Sequence, residues 1–114
     1  MADAPLPLEI SPREVKQKLD SHEPIRLLDV REPVETAIAR IEGSELIPMG
    51  SVPAEVQKLE AIADDALLVV YCHHGVRSLN VVAWLRKHGI ENCESMSGGI
   101  DRWSIEIDPA VPRY

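Results

Sequence analysis

The sequence has 114 residues, a formal net charge of −7 and 45% hydrophobic residues, which suits one folded domain with a largely aliphatic core because Phe is absent. An acidic chain repels phosphate backbones, so we expect no nucleic-acid partner. The longest apolar run, residues 66–72, is too short to cross a bilayer, and the first residues carry no signal-peptide pattern, so we expect a cytoplasmic protein without a membrane partner.

Apolar spacing and turn residues predict alternating strands and helices along the chain. The first helix has the clearest start, since Ser11 and Glu14 form a capping-box pattern around Pro12. In chain order, the predicted elements are strand 8–10, helix 12–20, strand 25–30, helix 34–38, strand 46–47, helix 53–63, strand 67–71, helix 78–88, strand 93–96 and helix 100–103. The alternation predicts an α/β fold with a parallel sheet. Pro-rich or irregular residues at the two ends predict tails, which we place at 1–7 and 108–114.

Ligands of parallel sheets bind at the carboxyl ends of the strands. The two most apolar predicted strands end at residues 29–31 and at residues 71–78, and the second of these segments contains Cys72. Gly75 permits a bend with positive φ, and the following helix begins with a partial positive charge. These features favour a thiolate at Cys72 over a thiol, and hence a nucleophile. The alternative is an inert, buried cysteine at a strand end.

Other chemistry-bearing residues are more ambiguous. His73 and His74 adjoin Cys72, but no second pair of ligands stands at metal-like spacing, so we expect no metal site. Arg77 either bonds a carbonyl or carboxylate of the protein or contacts substrate. Asp29 either caps a helix or pairs with a cation near the loop. We expect Cys93 to be a core residue of the last strand.

Three segments resemble the hallmarks of the rhodanese-like sulfurtransferases: Leu-Leu-Asp-Val-Arg-Glu-Pro at 27–33, Cys-His-His-Gly-Val-Arg-Ser at 72–78 and Ser-Gly-Gly-Ile-Asp-Arg-Trp at 97–103. The resemblance extends over residues 8–107, and it implies a domain of that extent with a five-stranded, mostly parallel sheet and helices on both faces. It implies a persulfide on Cys72, no cofactor, thiosulfate as a donor, and cyanide or a small-molecule or protein thiol as acceptor. The loop residues implied to hold the outer sulfur are His73, His74, Gly75, Val76, Arg77 and Ser78, and the implied supporting residues are Asp29, Arg31 and Glu35.

The sequence departs from that family pattern at Ala39 and Arg40, which replace Gly-His, and at Val34, where an aromatic residue is frequent. We expect these changes to lie at the rim of the site and to affect donor or acceptor preference. Two other functions use similar residues. A cysteine phosphatase or arsenate reductase needs Cys-x5-Arg, one residue more than the Cys72 to Arg77 spacing. A non-enzymatic sulfur carrier needs the same cysteine as the enzyme.

Overall fold

The computed structural model describes residues 6–114 and contains a five-stranded sheet in the order β1-β5-β4-β2-β3. Every strand pair in it is parallel, which confirms the predicted α/β class. The strands are β1 (Glu9–Ile10), β2 (Ile25–Asp29), β3 (Glu45–Leu46), β4 (Leu67–Tyr71) and β5 (Cys93–Met96), and the helices are α1 (Pro12–Asp20), α2 (Pro33–Ile38), α3 (Val56–Asp65), α4 (Val76–Lys87) and α5 (Gly99–Glu106).

The central strand β4 is apolar on both faces because the sheet is covered by helices on both sides. Successive side chains of a strand point to opposite faces. Leu68, Val70 and Cys72 therefore join one core cluster, which includes residues of α3 and α4. Val69 and Tyr71 join the other, which includes residues of α1 and α5. The alternation at the end of β4 places the Cys72 side chain on the α4 side of the sheet.

A local signal in the sequence explains where the first helix begins. At α1, the Oγ of Ser11 accepts a hydrogen bond from the Glu14 amide, as the capping pattern predicts. Residues Met49–Glu55 form a 3-10 segment ahead of α3 that the sequence did not indicate, and Pro53 lies within it. The predicted strand at 46–47 lies one residue earlier, at Glu45–Leu46.

The two ends of the described chain lie against the domain. Val111, in the predicted C-terminal tail, is buried in the core cluster that contains Val69. In the predicted N-terminal tail, the carbonyls of Leu6 and Pro7 accept hydrogen bonds from Arg86, whereas residues 1–5 lie outside the described residues. No helix within residues 6–114 is both long enough and apolar enough to span a membrane.

Candidate active site

The candidate nucleophile stands where the two central strands end. Asp29 of β2 pairs in register with Tyr71 of β4, and the Val30 amide donates to the Tyr71 carbonyl. Cys72 follows directly, so its thiol lies at the carboxyl edge of the sheet. The structure therefore brings residues 29–31 and the start of the 72–78 segment to the same edge, as the strand pattern predicts.

The turn after Cys72 is tighter than the sequence suggested. Helix α4 begins at Val76, not at Ser78, so the loop between strand and helix comprises only residues 72–75, which we call the cysteine loop. Gly75 occupies the N-cap position with φ of 101°, a left-handed conformation that L side chains rarely adopt. Because Gly75 makes the turn into the helix, the first helical turn consists of Val76, Arg77 and Ser78.

The thiol of Cys72 is buried but faces polar hydrogens. The residue is 1% exposed, and its side chain belongs to the α4-side core. Its Sγ accepts hydrogen bonds from the amides of Gly75 at 3.1 Å and Ser78 at 3.3 Å, and it lies 3.4 Å from the Ser78 Oγ. Amide donors of this kind favour an ionised or sulfur-loaded cysteine over a neutral one.

Helix α5 keeps the carbonyls of the cysteine loop away from the sulfur. The amide of Ile100 donates to the Cys72 carbonyl at 2.9 Å, and the amide of Asp101 donates to the His73 carbonyl at 3.1 Å. A side chain at Gly99 has no room, because its Cβ would lie 2.4 Å from both carbonyl oxygens. The Ser-Gly-Gly segment at 97–99 thus permits the close approach that orients the loop.

Arg77 is tied to a carboxylate of the protein. Its guanidinium donates two parallel hydrogen bonds to Glu35, at 2.7 and 2.9 Å. These bonds, together with one from the Tyr114 hydroxyl, lower the pKa of Glu35 to about 2 although partial burial opposes the shift. The same pairing raises the pKa of Arg77. Of the two roles left open for Arg77, the structure shows the carboxylate contact, which fixes α4 to α2 beside the cysteine loop.

Asp29 and Arg31 form a buried ion pair beneath the site. The carboxylate accepts hydrogen bonds from the Arg31 Nε at 2.9 Å and Nη2 at 2.8 Å, and from the Thr36 hydroxyl at 2.8 Å. Burial alone lowers the pKa of Arg31, but the bonds to Asp29 and Tyr114 outweigh it and raise that pKa. Of the two roles left open for Asp29, the structure shows the contact with a cation, Arg31.

Tyr114 is a site residue that the sequence did not reveal. Its ring stacks on His73 at 3.9 Å between ring centroids, and His73 in turn stacks on His74 at 3.8 Å. Its hydroxyl donates to Glu35 at 2.7 Å and accepts from Arg31 at 2.9 Å. Burial raises the pKa of Tyr114 to about 12, so the phenol stays protonated and donates. No local motif marks Tyr114, since its partners are up to 83 positions away.

The three departures from the family pattern lie in different environments. Val34 is 69% exposed on α2, one position before Glu35, and Arg40 is exposed. Ala39 does not lie at the rim. It is 5% exposed in the core cluster that contains Val69, and its carbonyl accepts a hydrogen bond from Arg31. The expectation of a rim position is thus wrong for Ala39, because the backbone after α2 turns inward to meet the buried guanidinium.

Cys93 lies in the same core cluster as Cys72, but within residues 6–114 no backbone amide donates to its sulfur. It is fully buried at the start of β5, and its thiol lies 3.4 Å from the Ile90 carbonyl. Burial raises the pKa of Cys93 and so favours its neutral thiol. The prediction of a core residue is confirmed.

The family model for the rhodanese-like domain matches residues 11–106, a span that contains every strand but β1 and the whole cysteine loop. This chain belongs to the rhodanese-like domain family. A probable adenylyltransferase/sulfurtransferase MoeZ of Mycobacterium tuberculosis is 36% identical over 92% of this chain and 26% of its own length. The putative sulfurtransferase YtwF of Bacillus subtilis is 35% identical over 89% of this chain and 94% of its own length.

Solved structures agree with the family assignment. The crystal structure of a rhodanese-related protein from Thermoplasma volcanium superposes with a TM-score of 0.77 at 30% identity, over 93% of this rhodanese-like chain and 98% of that one. The match to MoeZ is to part of a longer protein, because this chain spans about a quarter of that relative's length. The similarity to YtwF extends over nearly all of both sequences.

Proposed function

We propose that this rhodanese-like protein is a sulfurtransferase that carries sulfane sulfur as a persulfide on Cys72. The observation that carries the proposal is the pair of amide donors to Sγ, from Gly75 and Ser78, with the Ser78 Oγ 3.4 Å from the sulfur. The names of the relatives support a sulfurtransferase, and thiosulfate as donor and cyanide or a thiol as acceptor are our proposal for this chain.

Further amides are available for a second sulfur atom. The amides of His73 and His74 donate to no acceptor within residues 6–114. Val76 and Arg77 occupy the first two positions of α4, where amides have no carbonyl of their own helix to bond. Converging amides and a helix N-terminus favour an anion. The outer sulfur of a persulfide carries such a negative charge.

The reaction follows from this arrangement as two displacements. The Cys72 thiolate attacks the outer sulfur of thiosulfate, a bond forms between the two sulfurs, and the bond to the sulfonate breaks with its electron pair leaving as sulfite. The charge is then on the outer persulfide sulfur. Cyanide or a thiolate attacks that sulfur, the S–S bond breaks, and its electrons return to Cys72. The preorganised amides stabilise the charge at each stage without a cofactor.

Arg77 is not proposed to bind the donor. Its guanidinium already forms the two-bond pair with Glu35. The positive potential that attracts an anionic donor to an acidic protein comes instead from the amides and the dipole of α4. His74 in the cysteine loop and Val76 directly after it are exposed, so we propose that the donor reaches the sulfur across these two residues.

Mass spectrometry after thiosulfate treatment tests the proposal. Wild type should gain the mass of one sulfur atom on the peptide that contains Cys72, and cyanide should remove it with release of thiocyanate. Cys72→Ser should show neither reaction, because a serine oxygen does not hold a sulfane sulfur. Cys93→Ser is the matched control and should load normally. Folded wild type that gains no sulfur, or Cys72→Ser protein that still transfers it, would refute the proposal.

The preferred sulfur acceptor distinguishes an enzyme that acts on small molecules from a sulfur carrier that serves a partner protein. Rapid multiple turnover with thiosulfate and cyanide supports an enzyme acting on small molecules. Stoichiometric loading with slow release to cyanide, and fast release only to a protein thiol, supports a sulfur carrier. Both outcomes use the same persulfide, and they are distinguished by comparing the release rates of preloaded protein.

A further inference from the structure

Two buried hydroxyl groups form a chain behind the Cys72 sulfur. Ser78 of α4 and Ser95 of β5 are both fully buried. Their Oγ atoms lie 2.7 Å apart, and the Ser78 Oγ lies 3.4 Å from Cys72 Sγ. This series of contacts therefore connects Ser95 of the sheet, through Ser78, to the Cys72 sulfur.

Only one arrangement of the hydroxyl hydrogens leaves both paired. Apart from Ser78, the Ser95 hydroxyl has no hydrogen-bond partner within residues 6–114, and its burial keeps water away. If Ser95 donates to Ser78, the Ser78 hydrogen is free to point at Cys72. If Ser78 donates to Ser95, the Ser95 hydrogen has no acceptor in the part of the chain that the structure describes. An unpaired buried donor is costly, so the first arrangement is favoured.

We propose that Ser95 is a positioning residue that acts through Ser78 and directs the Ser78 hydroxyl hydrogen at the Cys72 sulfur. The ionised sulfur then receives three donors: the Gly75 amide, the Ser78 amide and the Ser78 hydroxyl. Hydrogen bonds in such a series polarise one another, so a hydroxyl that accepts a bond is a stronger donor. Without Ser95, the Ser78 hydroxyl loses this donor, and its own hydrogen bond to the ionised sulfur weakens.

The inference concerns the same thiol as the proposed function, but its test does not depend on sulfur transfer. Alkylation of Cys72 by iodoacetamide is followed across pH by mass spectrometry of the peptide that contains it. The measured quantity is the pH at which the rate is half-maximal, because only the thiolate reacts. Restricted access to the buried thiol lowers the alkylation rate at every pH by the same factor, so it leaves the midpoint unchanged.

Ser95→Ala should raise the midpoint by about 0.5 to 1 pH unit, which is the loss of part of one hydrogen bond to a charged group. Ser104→Ala is the control for removing a buried serine hydroxyl, since within residues 6–114 the Ser104 hydroxyl bonds only the Ile100 carbonyl of its own helix. It should leave the midpoint unchanged. In a Ser78→Ala background, Ser95→Ala should cause no further shift.

A matched pair at the same position guards against a purely structural effect. Ser95→Thr and Ser95→Val have nearly the same shape, but only the threonine retains a hydroxyl. The threonine variant should keep the wild-type midpoint and the valine variant should show the upward shift. An unchanged midpoint in Ser95→Ala, equal midpoints for the Thr and Val variants, or a shift that persists without the Ser78 hydroxyl would overturn the proposal. A shift without sulfur loading would instead refute the proposed function alone.

Discussion

Replacement of Glu35 by Gln should make the protein less sensitive to acid. The carboxylate accepts two bonds from Arg77 and one from the Tyr114 hydroxyl, and its side chain is 16% exposed. These donors favour the charged form, which lowers the pKa of Glu35 from an ordinary 4.5 to about 2. A glutamine retains the shape and one acceptor oxygen but carries no charge, so its contribution to stability does not depend on pH.

The size of the effect follows from linkage between protonation and folding. A folded-state pKa below the unfolded value stabilises the fold above the unfolded pKa, and this stability is lost as pH falls through the folded pKa. The shift of Glu35 from 4.5 to about 2 corresponds to about 3 kcal/mol at pH 7. By about pH 3, about 2 kcal/mol of this should be gone, with the remainder lost below about pH 2.

Urea unfolding at pH 7 and pH 3 provides the measurement. Wild type should lose about 2 kcal/mol more unfolding free energy between these pH values than Glu35→Gln does. Glu60→Gln is the control, because Glu60 is exposed on α3 and forms no ion pair within residues 6–114. It should lose stability in parallel with wild type. Parallel losses in wild type and Glu35→Gln would refute the reasoning that the Arg77 pair sets this pKa.

Further substitutions test the packing and the hydrogen bonds around the site. Gly99→Ala places a methyl group 2.4 Å from two loop carbonyl oxygens and should reduce sulfur loading at least about tenfold. Gly89→Ala is its control, because Gly89 also has a positive φ but has open space around it. This variant should lose only about 1–2 kcal/mol of stability and load sulfur normally. Tyr114→Phe retains the ring but loses two hydroxyl bonds, and thermal unfolding should show a loss of about 1–3 kcal/mol. Leu85→Ala, fully buried on α4, should cost about 2–5 kcal/mol in urea unfolding, and a loss under about 1 kcal/mol would contradict its place in the core.

Local patterns were sufficient to predict the fold class and to single out Cys72 as the candidate nucleophile. The apolar run of β4 indicated a central parallel strand, and the structure has one. The start of α4 was predicted two residues too late, at residue 78, because the polar residues after Cys72 suggested a longer loop. A single glycine with φ of 101° completes that turn, and residue type alone did not fix where the helix resumes.

The sequence by itself determined the order of the strands and α-helices along the chain and which cysteine follows the central strand, because hydrophobic period and turn chemistry are local properties. Only the tertiary structure decided which distant groups meet there. The Arg77 to Glu35 pair spans 42 positions, the Tyr114 to Glu35 bond 79, and the Ser78 to Ser95 bond 17. Such contacts depend on strand order and on the path of the chain after α5, which no short pattern of residues records.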